Sequence, residues 1–394
     1  MLGRERTEKR SVNDGRAAIR AGGALHPIPQ GTVQGVPGSL DAVAQLLSAG
    51  GLAAMAAEST LPPLRSTAGY SVGGLIRQRL GDEVVDRLVD PLLAGVYAGR
   101  ADELGLRATM PALATRAEEL GSVLAAARSL LPPRSADGRV APVFGAIEGG
   151  YARLIEGLRG AAEIELHQTV SELSRTATGW RIGVGAAAAR RYREVDAVVL
   201  AVPAPAARDL LAQVSPAASR ALAGIELASM VVLGLELPPQ ATLPQRSGVL
   251  LASGERHRGG VPFTAKAFTF SGRKWPHLPG TVLRASVGRF GDHELLRRDD
   301  EELTAGVRAD LAELTGIEVA PRRVIVARWG GGLPQYGIGH EEVIARVETE
   351  IASLPGLELA GSVLHGVGVA PCIATAACAA ARLTSVVPDA LRRA

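Results

Sequence analysis

The stretch at residues 357–383 constrains the fold more than any other part of the chain. It reads LELAGSVLHGVGVAPCIATAACAAARL, an apolar run followed by a turn containing Gly366 and Gly368 and then by small residues at 372–381. This order predicts a buried strand, a glycine turn and a helix. Glycine lets a ligand approach the backbone, and a helix start carries unpaired N–H groups and partial positive charge. The pattern indicates a dinucleotide-type βα unit aimed at an anionic or electron-rich ligand. The same residues are compatible with a packed alanine-rich helix after an ordinary turn.

Composition excludes several classes of protein. A chain of 394 residues predicts two domains or one large interleaved unit, and 47% hydrophobic content is globular. We find neither a bilayer-length apolar run nor a secretory signal. A net charge of +3 is too mild to indicate a nucleic-acid partner. Cys372 and Cys378 have neither metal nor redox spacing, so no metal site and a reducing, cytoplasmic setting are expected.

Changes in pattern along the chain predict five segments. They are a loop and strand segment (1–39), a helical domain (40–141), the first part of an α/β domain (142–212), an antiparallel sheet domain (213–327) and the second part of the α/β domain (328–394).

Apolar residues at intervals of three and four predict the helices, and alternating or continuous apolar runs predict the strands. The predicted helices cover 40–58, a segment capped by Ser71 and ended by Gly81, a segment opened by Asp82 and interrupted by Pro91, 111–131, 204–212, 299–315 and 341–354. The predicted strands cover 162–170, 179–185, 193–203, four runs within 226–290 that favour an antiparallel sheet, and 322–329.

Gly183 and Gly185 begin a near match to the G-x-G-x-x-G/A fingerprint, directly after a predicted strand. The next strand follows at once and leaves no room for a crossover helix. A hairpin turn is therefore the better interpretation.

Several longer motifs occur in one order over nearly the whole chain from about residue 20. They resemble the flavin-dependent protoporphyrinogen oxidase family, within the amine-oxidase-like flavoprotein fold, and are most similar to the Gram-positive and actinobacterial type that acts on coproporphyrinogen III. The motifs are GALHPIPQGTVQGVP (23–37), DPLLAGVYAGRADELGLRAT (90–109), PVFGAIEGG (142–150), VDAVVLAVPAPAARDLL (195–211), SGRKWPHL (271–278), RASVGRFGD (284–292), RWGGGLPQYGIGH (328–340) and LAGSVLHGVGVAPCIATA (359–376).

The resemblance implies a fold of class α/β with α+β. It contains an FAD-binding Rossmann-like domain in two parts, an antiparallel-sheet substrate domain and a helical insertion domain. It also implies that the backbone of Val170 meets the adenosine part of FAD and that Trp329 lines the flavin. Val367, Gly368 and Val369 would lie against the pyrophosphate and isoalloxazine.

One departure from the family concerns its first βαβ unit, which carries G-x-G-x-x-G and an acidic residue for the ribose. The present sequence has neither, and we expect an incomplete, N-terminally truncated FAD domain.

The implied reaction is the six-electron oxidation of a porphyrinogen to a porphyrin in heme biosynthesis. The substrate is coproporphyrinogen III or protoporphyrinogen IX, FAD accepts hydride, O2 reoxidises it, and a ferrochelatase acts downstream. No catalytic base stands out. A membrane contact would be at most peripheral.

A substrate with propionates requires cations, and Lys274, Arg284 and Arg289 are the candidates on the predicted sheet, with solvated surface charge as the alternative. Trp275 and Tyr336 are equally compatible with flanking the ring system and with core packing. Two other functions stay open: a non-catalytic remnant or half-protein, and a flavoenzyme acting on an amine or a carotenoid precursor.

Overall fold

The structure is a computed structural model that describes residues 9–11, 16–132, 145–147 and 149–386. The predicted boundary at 141/142, parts of the segment 1–39 and the last eight residues lie outside the described residues. The chain forms two compact units. The first contains residues 1–106, 110–164 and 228–332, and the second contains residues 107–109, 165–227 and 333–394. The division into five segments stays a prediction.

The strands and helices have the following bounds. The strands are β1 (Lys9–Ser11), β2 (Ala18–Ala21), β3 (Ala24–Pro27), β4 (Thr32–Val33), β5 (Val36–Pro37), β6 (Gly145–Ile147), β7 (Val170–Arg175), β8 (Trp180–Val184), β9 (Arg191–Val195), β10 (Val198–Leu200), β11 (Leu227–Glu236), β12 (Gly248–Leu251), β13 (Ala265–Thr269), β14 (Val282–Val287), β15 (Arg323–Pro334) and β16 (Leu357–Leu359). The helices are α1 (Ala49–Ala56), α2 (Val72–Leu80), α3 (Asp82–Val84), α4 (Asp90–Tyr97), α5 (Leu106–Thr109), α6 (Pro111–Leu120), α7 (Val123–Ser129), α8 (Tyr151–Arg159), α9 (Ala204–Leu211), α10 (Pro216–Leu222), α11 (Ser271–Lys274), α12 (His293–Arg297), α13 (Asp300–Thr315), α14 (His340–Ala352) and α15 (Val369–Val386). Short 3₁₀ turns cover Asp41–Val43, Ala57–Thr60 and Ala187–Ala189, and Val85–Val89 is π-helical.

A seven-stranded sheet organises the first unit, in the order β15-β11-β14-β13-β12-β2-β3. The pairs β11–β14, β13–β14 and β12–β13 are antiparallel, which confirms the antiparallel sheet predicted within 226–290. β2 adds to this sheet parallel to β12. Alternate residues of these strands are buried together in one apolar core.

Helix α13 covers that core face of the sheet. Asp299 caps it by accepting the N–H of Glu302, whose side chain accepts the N–H of Asp299 in return. Leu303, Val307 and Leu311 point into the core. The helix therefore begins and ends close to the predicted bounds of 299–315, because a strong local capping box sets its start.

The helical block of the first unit differs from prediction in three places. The segment 40–58 is not one helix, because Ser48 breaks it and caps α1 by accepting the N–H of Gly51. The segment 111–131 is two helices, because Gly121 adopts a left-handed conformation with φ +70° between them. Pro91 does not interrupt the helix, because the wider π turn at Val85–Val89 precedes it and accommodates a proline at the start of α4.

The second unit contains two small sheets around a core that includes Trp180. β10 and β16 form a parallel pair, and β7, β8 and β9 form an antiparallel meander whose β8–β9 turn confirms the predicted hairpin. The strand predicted at 162–170 is wrong, because residues 161–168 are exposed and the strand begins only at Val170. β10 is buried less than predicted, with Val199 exposed.

None of the helices in the described ranges combines the length and the apolar character needed to cross a bilayer.

Candidate functional site

The glycine turn between β16 and α15 is held from one side by Tyr336. Its hydroxyl donates to the carbonyl of Ser362 at 2.5 Å and accepts the N–H of Gly366 at 2.7 Å. Gly366 has φ +143°, and a Cβ there would lie 2.7 Å from a side-chain carbon of Pro371. The turn therefore requires glycine at this position, as the sequence pattern predicted.

Tyr336 belongs to the core of this turn. Its ring is 1% exposed and stacks on His340 with the ring centroids 4.0 Å apart. The suggestion that Tyr336 flanks a bound ring system is thus wrong, because both of its faces are enclosed by protein. Sequence reasoning missed its role as the residue that spans the turn, since the partners lie 26 and 30 positions away.

The start of α15 is open. The N–H of Cys372 donates to the carbonyl of Gly368 at 3.1 Å, so the N–H groups of Val369 and Ala370 precede the first bond within the helix. Val369 and Ile373 are 45% and 55% exposed on this apolar helix. Thr375 is buried and donates to the carbonyl of Cys372 while accepting the N–H of Gly361, which anchors the helix to the end of β16. An exposed helix start of this kind presents polar donors beside an apolar surface.

The other two predicted cofactor residues lie on separate elements. Val170 begins β7 in the second unit and is 38% exposed. Trp329 lies on β15 in the first unit, is 57% exposed, and lines a cavity of about 270 Å³ with Met230, Arg297 and Gly330. The contacts proposed for these residues with FAD stay predictions.

The three predicted substrate cations differ in their surroundings. Lys274 lies in the short helix α11 and not on a strand, so the prediction that all three alternate along the sheet is wrong. Arg289 follows β14 and forms a buried ion pair with Asp90, which also accepts from Ser253 at 2.5 Å. Because this ion pair lowers the pKa of Asp90 against the effect of burial, the charge of Arg289 is compensated within the protein.

Of the three, Arg284 lies on a strand, β14, where its side chain faces away from the apolar core. Every second residue of β11 and β14 points into the core: Val231, Leu233 and Leu235 on β11, and Leu283, Ala285 and Val287 on β14. The residues between them must face the other side of the sheet. We call this side the open face, formed by Met230, Val232, Gly234, Arg284, Ser286 and Ile325.

Lys266 is a buried cation that sequence reasoning missed. Its side chain is 8% exposed, and its Nζ has no hydrogen-bond partner among the described residues. Burial first, and then the positive charge of Arg289, lowers the pKa of Lys266 to about 7. Its position between apolar residues in PFTAKAFTF, in a chain with only three lysines, was the available signal.

Comparisons with known proteins identify the fold to which this site belongs. The family model for flavin-containing amine oxidoreductases matches residues 2–384. The chain belongs to the flavin-containing amine oxidoreductase family. A coproporphyrinogen III oxidase from Mycobacterium leprae (strain TN) is 40% identical over 373 residues, which cover 93% of this chain and 79% of the relative.

Two solved structures share the fold of this chain. A crystal structure described as a protoporphyrinogen oxidase from Exiguobacterium sp. 255-15 superposes with a TM-score of 0.77 at 31% identity, covering 96% of this chain and 80% of the other. The cyclohexylamine oxidase of Brevibacterium oxydans IH-35A superposes with a TM-score of 0.64 at 13% identity, covering 96% and 82%, and shows the fold alone.

Membership in this flavin-containing family makes the protein an oxidoreductase with FAD as its cofactor. The start of α15 fits such a group, since the N–H groups of Val369 and Ala370 suit phosphate or a polar ring edge and the side chains of Val369 and Ile373 suit an apolar ring.

Proposed function

We propose that this flavoprotein catalyses the six-electron oxidation of a porphyrinogen to a porphyrin in heme biosynthesis, with O2 as the final electron acceptor. The substrate is coproporphyrinogen III or protoporphyrinogen IX. The observation that carries the proposal is the 40% identity, over 93% of this chain, to a protein named coproporphyrinogen III oxidase. A ferrochelatase that takes up the product, a cytoplasmic location and at most peripheral membrane contact complete the proposal.

FAD, when bound, supplies the chemistry by accepting hydride, and the protein binds and orients the reactants. We propose that Val367, Gly368 and Val369 hold it at the start of α15, with Val170 at the adenosine and Trp329 beside the flavin. Tyr336 supports this arrangement because its hydroxyl holds both ends of the glycine turn. No side chain is assigned as a catalytic base.

We further propose that the G-x-G-x-x-G βαβ unit implied by the resemblance is absent from these 394 residues. Two features of the second unit support this. β16 pairs with β10 alone within the described ranges, although parallel sheets are normally covered and extended. The apolar helix α15 also leaves most of its surface exposed, including Ile373.

These features favour a second candidate, a half-protein of the same family that binds FAD weakly and does not turn over. One experiment separates the two. The purified 394-residue chain is mixed with FAD, and its flavin spectrum and the growth of porphyrin fluorescence from coproporphyrinogen III are followed with and without O2. Oxygen-dependent porphyrin formation above the spontaneous rate supports the oxidase. A colourless protein that stays inactive with added FAD supports the half-protein.

Mass analysis of the products would reveal a flavoenzyme with another substrate, such as an amine.

A further inference from the structure

The open face is an apolar platform on the first unit. Ile325 is 52% exposed there, and Met230 and Val232 are only half-buried. Val324 and Val326 pack against the core on the opposite side, so the exposure of Ile325 follows from the alternation of the strand. An uncovered apolar sheet face suits a flat apolar ligand.

A glycine leaves space beside Arg284 on this platform. Gly234 lies directly across from Arg284 in the β11–β14 pairing, inside a ten-residue strand. Glycine weakens a strand interior, and a Cβ at Gly234 would meet no atom within 4 Å. Packing within the protein therefore does not require glycine at this position. A ligand that approaches Arg284 closely would require it, because a side chain at position 234 would occupy the same space.

Among the described residues no carboxylate pairs with Arg284, whereas Arg289 pairs with Asp90 and Arg328 with Asp300. The exposed side chain of Arg284 is directed to the open face. An arginine without an acidic partner beside an open apolar surface is suited to an anionic group carried by an apolar ligand.

A second cation, Lys266, lies on β13, the strand next to β14. Lys266 lies at the irregularity between Ala265 and Ala267 of β13, and its buried Nζ makes no hydrogen bond within the described residues. Burial first, and then the positive charges of Arg289 and Arg284, lower the pKa of Lys266, whereas the carboxylate of Asp292 raises it. The charge of Arg284 likewise lowers the pKa of Lys274, after burial. Arg284 therefore acts on two neighbouring cations, Lys266 and Lys274.

We propose that Arg284 binds a carboxylate of the tetrapyrrole on the open face and that Gly234 leaves the room for it. The identity of the ligand rests on the proposed function, but the site does not depend on turnover. Arg284 and Gly234 form a carboxylate-specific subsite, and an uncharged ligand of the same shape gains nothing from it.

Equilibrium binding of a stable porphyrin tests this without bound flavin. Coproporphyrin III and its tetramethyl ester are titrated into the 394-residue chain, and binding is followed by porphyrin fluorescence. We expect wild type to prefer the acid, and Arg284→Gln to weaken acid binding by about tenfold to a hundredfold while leaving ester binding unchanged. Arg284→Lys should restore part of the preference, because lysine keeps the charge but loses the planar fork.

Two further variants separate binding from folding. Gly234→Val should weaken porphyrin binding by about tenfold or more while leaving the melting temperature unchanged or higher, since valine favours strands. Arg308→Gln removes an exposed arginine on α13, on the covered side of the sheet, and should bind coproporphyrin III like wild type.

The inference is overturned if wild type binds acid and ester equally, if it binds neither, or if Arg284→Gln and Gly234→Val bind the acid like wild type. Arg284-dependent binding by a chain that forms no porphyrin would leave the inference standing and reject the proposed function. Porphyrin formation by the wild type, together with unchanged porphyrin binding in the variants, would support the proposed function and reject the inference about Arg284.

Discussion

At the scale of single residues, the charges of this protein divide into compensated and uncompensated groups. Arg289 is compensated by Asp90, and His257 lies 2.7 Å from the buried carboxylate of Asp310. Lys266 and Arg284 have no acidic partner within the described part of the chain. A buried cation without a charge partner lowers the stability of the folded protein.

Replacing Lys266 by methionine should stabilise the protein in a pH-dependent way. Its pKa falls from 10.5 in the unfolded chain to about 7 in the folded protein, so the folded state binds fewer protons between these values. The free energy of unfolding therefore rises with pH across this window, and the full penalty is present below it. We expect Lys266→Met to gain on the order of a few kcal/mol at about pH 6 and much less at about pH 10, measured by urea unfolding.

Lys274→Met is the matched control, since Lys274 is less buried, and it should show a smaller dependence on pH. Equal gains at both pH values for Lys266→Met would contradict the assigned cause.

Removing the hydroxyl of Tyr336 should loosen the glycine turn without disturbing the stacked ring. Tyr336→Phe loses the hydrogen bonds to Ser362 and Gly366, each worth about 0.5–1.5 kcal/mol. We expect a lower melting temperature and weaker FAD binding in a fluorescence titration. Tyr97→Phe, a change at a buried tyrosine of the first unit, serves as the comparison and should leave FAD affinity unchanged. Unaltered FAD affinity in Tyr336→Phe would count against the turn as the cofactor site.

At the scale of elements, the residues that cap helices explain why several helix bounds were predicted correctly. Ser71 caps α2 by accepting the N–H of Gly74, and Gly81, with φ +90°, follows its last residue, as the sequence indicated. Such signals act within three or four residues, so a local pattern contains them. A cap supplied from elsewhere in the chain has no such signal.

Glu58 is a cap of this distant kind. Its buried carboxylate accepts from the N–H groups of Val123 and Leu124 at the start of α7 and pairs with Arg79 at 3.2 Å. Glu58→Ala should therefore lower the free energy of unfolding by about 3–5 kcal/mol, since it leaves Arg79 buried without its charge partner.

Chemical denaturation measures this loss. Glu119→Ala removes an exposed carboxylate paired with Arg116 and should change stability by less than about 1 kcal/mol. Similar losses in the two variants would show that Glu58 does not link these helices.

At the scale of the whole molecule, each of the two units leaves apolar surface exposed. The sheet of the first unit has an apolar core on one face and the open face on the other. The second unit exposes the apolar residues Val199, Val369 and Ile373. Apolar surface of this kind is commonly covered by a ligand or by further protein.

Binding of FAD should stabilise the chain through its phosphates as well as its ring. A ligand that binds only the folded state adds about 1.4 kcal/mol for each tenfold excess over its Kd. We expect the melting temperature to rise with FAD concentration, and riboflavin, which has no phosphate, to give a smaller rise. A differential scanning experiment with both ligands at equal concentrations checks this, and equal rises would argue against phosphate contacts at the start of α15.

How much could be predicted depended on the distance along the chain between interacting residues. The hairpin at Gly185, the capping box of Asp299 and the strand–turn–helix around Gly366 are local patterns, and the sequence predicted them. The strand start at Val170 was missed because residues 161–168 carry an apolar pattern but find no surface to cover.

The sequence by itself determined most of the helices and strands, the glycine turn before α15 and the resemblance to a flavoprotein family, since each is written in contiguous residues. Only the tertiary structure decided which cations form an ion pair with a carboxylate and which do not. Arg289 pairs with Asp90 from 199 positions away, whereas Arg284 lies across from Gly234 and pairs with no carboxylate in the ranges that the structure describes. The physical reason is that the pairing of charges depends on which strands and helices lie side by side, and no local pattern records that.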